Sequence, residues 1–288
     1  MRCRYREVAV KSGRYLDVKI LPVFNADGVK TTRRRKFRPT AEAQARLNEY
    51  NSLRHGARII EENFTESDYM ITPTFRDEAL PKTDAEFRRL FDNFIRRLRR
   101  KYAKAGVELK SFTVIGKSSK GRYHVHMVIN GGALTTAQLR EVWGQGRLYV
   151  SPLEFDENGM TGLGKYMGKH RMLTKRFLHS KNLRIPQAEE SDRRYSQREV
   201  AATMCNPDDC RQWEKKYPGY RLIRTEPYYN ELDGKYYITL RMWKPTATWL
   251  RREQQEQKEI AAGLRLPKTT EPVTVKYGRL LESGWTFD

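Results

Sequence analysis

Cysteine is scarce in this chain: three residues in 288, Cys3, Cys205 and Cys210. Their number is odd and no two stand in CxxC spacing, which argues against both a disulfide framework and a zinc ribbon. Free thiols in a reducing cytoplasm are the expectation. Long apolar runs are missing as well. None approaches the ~20 residues that a bilayer span needs, so no membrane partner is expected. The first residues, Met1-Arg2-Cys3-Arg4-Tyr5-Arg6, lack the apolar centre of a signal peptide. There is no Walker-type phosphate loop, which excludes a fused helicase, and no internal repeat. Acidic residues are in deficit, with 35 Asp plus Glu against 56 Lys plus Arg, a formal net charge of +21. That excess is far beyond the magnitude of about 2–8 usual for a small soluble domain. A polyanion, nucleic acid first of all, is the expected partner.

What is present reads as alternating helices and strands, hence an α+β fold with a central antiparallel sheet and helices packed on it. Residues 1–40 are basic and weakly periodic, and are expected to form an N-terminal arm, with short strands at Val8–Val10 and Val18–Leu21 and a cationic run at Arg33–Arg38. The main domain is expected over 41–245, and a charged helix and tail over 246–288. Within it, Thr40 precedes a polar helix over Ala41–Glu61. Tyr69–Phe75 reads as a strand, and Pro73 predicts an edge position or a bulge. Thr83-Asp84-Ala85-Glu86 has the form of a capping box. Behind it, Phe87, Leu90, Phe91, Phe94, Ile95, Leu98 and Tyr102 recur at helical spacing. The opposite face carries Arg96, Arg97 and Arg100 among other cations, either solvated or laid along DNA. Lys175–Asp192 reads as a basic loop, and Tyr228–Ile238 as a hairpin around Asp233-Gly234.

Two histidines organise the chemistry. In Arg122-Tyr123-His124-Val125-His126-Met127-Val128-Ile129-Asn130, strict alternation predicts a strand with Tyr123, Val125, Met127 and Ile129 on one face. His124 and His126 then share the other face, roughly 6–7 Å apart along the chain. One divalent ion fits between imidazoles so placed, with each nitrogen at about 2.0–2.1 Å for a zinc-like ion. A solvated pair on a half-buried strand is the plain alternative. Downstream, Tyr166 stands three positions before Lys169, so a helix would put both on one side. A phenol is a competent nucleophile on a phosphodiester when a metal polarises the phosphate. Taken alone, such a tyrosine is more often core.

Three motifs stand in order: Met70-Ile71-Thr72-Pro73-Thr74-Phe75, His124-Val125-His126 and Tyr166-Met167-Gly168-Lys169. From about Arg33 to Trp243 the chain resembles the HUH endonucleases, specifically the single-tyrosine rolling-circle replication initiators of plasmids and small phages. The resemblance implies an HUH, RRM-like palm. It implies that His124 and His126 hold Mg²⁺ or Mn²⁺ against single-stranded origin DNA. Tyr166 would then attack to give a 5′-phosphotyrosine link and a free 3′-hydroxyl, aided by Lys169. Host helicase and polymerase in a bacterial cytoplasm would be further partners. Relatives often place a glutamate on the preceding strand as third ligand, and that position is taken by Lys117. His170, one turn after Tyr166, is the replacement expected, with Asp77 or Glu78 as the other option. Lys117, Arg122, Lys165 and Lys181 are further candidates for phosphate contact. The rival readings are a single-tyrosine transposase or mobilisation relaxase, and a non-catalytic origin-binding or repressor protein with a decayed nuclease site.

Overall fold

A computed structural model describes residues 3–24, 41–117, 121–155, 159, 177–231, 233–264 and 276–278. It divides into two compact units: Tyr50–Ile185, and Met1–Glu49 together with Pro186–Asp288. These limits differ from the expected 1–40, 41–245 and 246–288. Residues 3–24 are not an arm but a hairpin of two ten-residue strands, β1 (Cys3–Ser12) and β2 (Tyr15–Phe24). Apolar residues alternate with the charges there, and pairing buries them. The cationic run at Arg33–Arg38 lies outside the described residues. Helix α1 (Ala41–Asn63) begins where Thr40 predicts and runs two residues further than expected.

The unit Tyr50–Ile185 is built on a five-stranded antiparallel sheet. Its elements are β3 (Tyr69–Pro73), α2 (Asp84–Lys104), β4 (Ser111–Lys117), β5 (Tyr123–Ile129), α3 (Thr136–Trp143), β6 (Leu148–Pro152) and β7 (Leu178–His179), with strand order β6-β3-β5-β4-β7. One face packs on α2 and α3. Phe87, Phe91, Phe94 and Leu98 of α2, with Leu139, Val142 and Trp143 of α3, meet Tyr123, Val125, Met127 and Ile129 of β5. The other face packs on α1, where Ile59, Ile60 and Phe64 meet Phe112, Val114 and Val128. The approach is close at Gly56, where an added Cβ would lie 3.1 Å from Phe112 Cζ. The predicted alternation of β5 therefore holds, with both faces covered.

Local signals explain the helix ends. Thr83 Oγ1 accepts from the Glu86 backbone N–H at 3.1 Å. The Glu86 carboxylate reaches back to the Lys82 N–H rather than to that of Thr83, so half of the expected capping box forms. Gly144 ends α3 at φ 64°, a left-handed conformation that suits glycine. Strand β3 as a whole is interior, between β6 and β5, but Pro73 pairs with β6 alone and so stands at the edge position expected of it. Pro73 is the last residue of the strand, past the final β5 pair, Ile71 with Met127, so no ladder donor is missed there.

The other unit holds a six-stranded sheet, antiparallel except at one edge. After β1 and β2 come β8 (Ala188–Tyr195), α4 (Gln197–Thr203), α5 (Cys210–Lys216), β9 (Arg221–Asn230), β10 (Lys235–Trp243), α6 (Ala247–Ala261) and β11 (Lys276–Gly278), in strand order β11-β9-β10-β2-β1-β8. The hairpin of β9 and β10 turns where Asp233-Gly234 predicts. Strand β8 begins inside the segment expected to be a loop and runs three residues past its end. Its charges hid it, and it pairs as an edge on β1, with Arg6 bridging Asp192 at 2.6 Å and Glu190 at 3.0 Å. The core of this unit gathers Leu16, Val18, Ile20, Ile238, Leu240 and Met242 from the sheet against Val200, Met204 and Trp213 of the helices.

Candidate functional site

His124 and His126 sit on β5, on the face away from α2, as their alternation with Tyr123, Val125 and Met127 requires. His126 is 3% exposed and His124 is half-buried. Thr72 of the neighbouring strand places Oγ1 3.2 Å from His126 Nδ1. That hydrogen bond fixes the ring. When Nδ1 carries the proton, Thr72 accepts it and Nε2 is the nitrogen with a lone pair. Metal-binding histidines are oriented this way, by a partner on the other ring nitrogen. Two imidazoles suit Mn²⁺ better than Mg²⁺, which prefers oxygen. No third His, Cys, Asp or Glu joins them among the described residues.

Lys117 does not stand in a ligand's place. It pairs across the hairpin with Tyr123, and both side chains project to the α2 face of the sheet. There Lys117 Nζ lies 3.5 Å from Asp84 and 4.8 Å from the Tyr123 ring centroid, while the Tyr123 hydroxyl donates to Asp84. The phenol and the ammonium hold the Asp84 carboxyl below the usual range, and burial with that carboxylate raises the phenol. The strand neighbour of His124 is instead Gly116, which has no side chain to offer or to obstruct.

The candidate phosphate contacts separate. Arg96 and Arg100 are exposed on the outer side of α2, across the sheet from the histidines. Arg97 caps α3, donating to the Val142 and Trp143 carbonyls at 3.2 and 3.3 Å. Arg122 pairs with Asp77, and Lys181 is exposed after β7. Asp77 is thereby engaged beside Arg122, and the described residues do not bring it or Glu78 into a cluster with the histidines. Lys165, Tyr166, Lys169 and His170 lie outside the described residues.

Sequence reasoning missed three neighbours of the site. Thr72 was seen only as part of a strand motif. Exposed Tyr149 pairs with Thr72, so it shares the histidine face. His179 pairs with Phe112 on that face. It flanks Phe177 at 6.3 Å between ring centroids, and His55 of α1 flanks the same ring at 6.0 Å. Burial, then Arg58 and His179, push the His55 imidazole below its ordinary value. All four described histidines thus gather on one side of one sheet. Only pairing register, which is non-local, could have shown this.

An antiparallel sheet with helices on both faces and a histidine pair on a central strand defines an α+β protein with a candidate cation site. Residues 68–171, less than half of the chain, match the model of a family of replication-associated proteins, the ORF2 type. The match begins just before β3 and takes in all three motifs. It supports a replication-associated role. No curated protein and no solved structure matches the chain. No helix among the described residues is long and apolar enough to cross a membrane.

Proposed function

We infer that this chain initiates rolling-circle replication by nicking single-stranded origin DNA. The observation that carries the reading is the histidine pair. It lies on one face of a central strand, His126 is braced by Thr72, and the segment matching a replication-associated family also contains Tyr166 and Lys169. His124 and His126 would hold Mn²⁺ or Mg²⁺, with His170 as the third ligand. The ion, when bound, supplies Lewis-acid polarisation of the scissile phosphate. The Tyr166 oxygen attacks phosphorus, the bond from phosphorus to the 3′-oxygen breaks, and a 5′-phosphotyrosine forms. The phenol gives up its proton, one proton ends on the departing 3′-oxygen, and the Lys169 ammonium stabilises the phenolate and the charge developing on the phosphate.

The position of Lys117 bears on the rival. The Lys117 ammonium lies on the α2 face, away from the histidines, so it does not itself repel an ion there, while no third ligand joins them among the described residues. The test incubates the full chain with Mn²⁺ and a random pool of single-stranded DNA, and traps protein–DNA adducts on a denaturing gel. Wild type should yield adducts with a shared cleavage sequence. Tyr166→Phe and His126→Ala should yield none, while each still retards DNA on a native gel. Adducts from Tyr166→Phe equal to wild type would reject the nucleophile. Retardation without adducts from any of the proteins would favour the non-catalytic reading.

A further inference from the structure

Strand β6 is an edge of the five-stranded sheet, and its Tyr149 is 57% exposed, the most exposed aromatic side chain among the described residues. Its ring has no aromatic or cationic neighbour, and its hydroxyl no hydrogen bond, among the described residues. Pairing register says where that ring stands. Tyr149 is the partner of Thr72 in the β3–β6 ladder, and Thr72 Oγ1 lies 3.2 Å from His126 Nδ1. Residues opposite one another in a sheet project to the same face. Tyr149, Thr72 and His126 therefore form one row across β6, β3 and β5. With strands about 4.7–4.9 Å apart, the row places Tyr149 roughly 9–10 Å from His126.

The neighbours of Tyr149 along the chain are polar. Arg147 carries the ladder on, since its carbonyl accepts from the Thr74 N–H at 2.8 Å and from the Thr74 hydroxyl at 3.0 Å. Alternation gives Arg147, Tyr149 and Ser151 the same side, and all are exposed. Arg122 and Lys101 of this unit meet carboxylates, Asp77 and Glu141. The Arg147 guanidinium meets none among the described residues. One ring between a cation and a hydroxyl is short of the contiguous apolar patch that marks a protein-docking site. A nucleotide matches it group by group: the base has a π-face for Tyr149, and the phosphate a charge for Arg147. Inside a duplex both faces of a base are covered by the stack, so only an unpaired base is free to take the ring.

We propose that Tyr149 is a stacking platform for one unpaired base of single-stranded DNA, with Arg147 on an adjoining phosphate. The proposal rests on the reading of the chain as a nuclease of single-stranded DNA. A stacked strand rises about 3.4 Å per nucleotide, so the base on Tyr149 belongs within about three nucleotides of a phosphate held at His126. Tyr149 is then a positioning residue, which holds the strand beside the histidines and takes part in no bond change. Every base has a π-face, so the platform selects the unpaired state and not a sequence.

The test irradiates the full chain in EDTA with a short single strand of mixed sequence carrying 5-iodouracil, and locates the crosslinks by peptide mass spectrometry. Wild type should crosslink at Tyr149. Tyr149→Phe keeps the π-face and should crosslink at the same position. Tyr149→Val keeps a strand-forming residue and should lose that crosslink, with affinity for the strand lower by about fivefold or more. The position is exposed, so neither variant disturbs the core. A duplex carrying the same 5-iodouracil should give no crosslink there. Wild-type crosslinks at other aromatic residues but not at Tyr149, an equal yield from the duplex, or unchanged affinity in Tyr149→Val would overturn the proposal. Each of these leaves the nicking reading standing, because no metal and no nick enters the measurement. A crosslink at Tyr149 from a chain that forms no Tyr166 adduct would support the platform and reject the nicking. A chain that neither binds nor crosslinks to the strand would overturn both.

Discussion

Tyrosines apart, the described strands of the five-stranded sheet bury one ionisable side chain, His126, whereas those of the six-stranded sheet bury three, Glu7, Asp17 and Arg241. The three are held by ion pairs. Asp17 meets Arg241 at 3.1 Å with both nearly sealed from solvent, and the Arg241 guanidinium stands 4.9 Å from the Tyr15 ring centroid. His126 instead meets a hydroxyl, Thr72, which fixes the ring without adding charge. Buried ion pairs lock a packing, because losing either partner strands the other in a medium of low polarity. A neutral imidazole with an oriented ring keeps a lone pair for chemistry. The contrast is between ion pairs that lock one sheet and an oriented, hydroxyl-braced ring in the other.

The largest expected effect comes from breaking the locked pair. Arg241→Ala should lower stability by about 3–5 kcal/mol, read from urea unfolding, whereas replacing Asp17 and Arg241 together by Leu and Met should recover most of the loss. A single-variant cost below about 1 kcal/mol would remove the structural half of the comparison. Next, Thr72→Val should weaken Mn²⁺ binding about 10–100-fold while the unfolding midpoint moves little. Unchanged metal affinity would mean that Thr72 does not orient His126. Smaller again, Thr83→Ala should cost about 1 kcal/mol through the N-cap of α2, with no change in metal binding.

The smallest effect is one of pH. His55 has its folded value depressed below 6.5, chiefly by burial. Well above pH 6.5 it is neutral in both states and contributes nothing. As the pH falls below 6.5 the unfolded chain takes up the proton first, so stability should decline towards the lower folded value. His55→Gln should flatten that decline between about pH 7 and 5, measured by thermal unfolding. An identical slope in the variant would show that the imidazole is not the group responsible.

Much of the five-stranded unit was legible. The stripe from Phe87 to Tyr102 gave α2, and alternation gave β5 and the face carrying His124 and His126. Asn206-Pro207 stands between α4 and α5, where proline lacks the N–H that a continuing helix needs. The six-stranded unit was much less legible. Strand β8, Ala-Glu-Glu-Ser-Asp-Arg-Arg-Tyr, has almost no apolar alternation because it is an exposed edge held by ion pairs. The N-terminal hairpin read as an arm because its partners, β8 and β10, lie some 180 to 230 residues away in sequence.

The sequence by itself determined most elements of the five-stranded unit and their buried faces, the order of the three motifs, and the charge that calls for a polyanion. These follow from side chains a few residues apart, whose spacing sets which way each one points. Only the tertiary structure decided that Thr72 braces His126, that Lys117 turns to Asp84 on the far face, that His55 and His179 share the histidine side, and that Glu7 is buried against Tyr217 and Arg194. Each depends on which strand lies beside which and in what register, and that is fixed by burying faces drawn from distant parts of the chain.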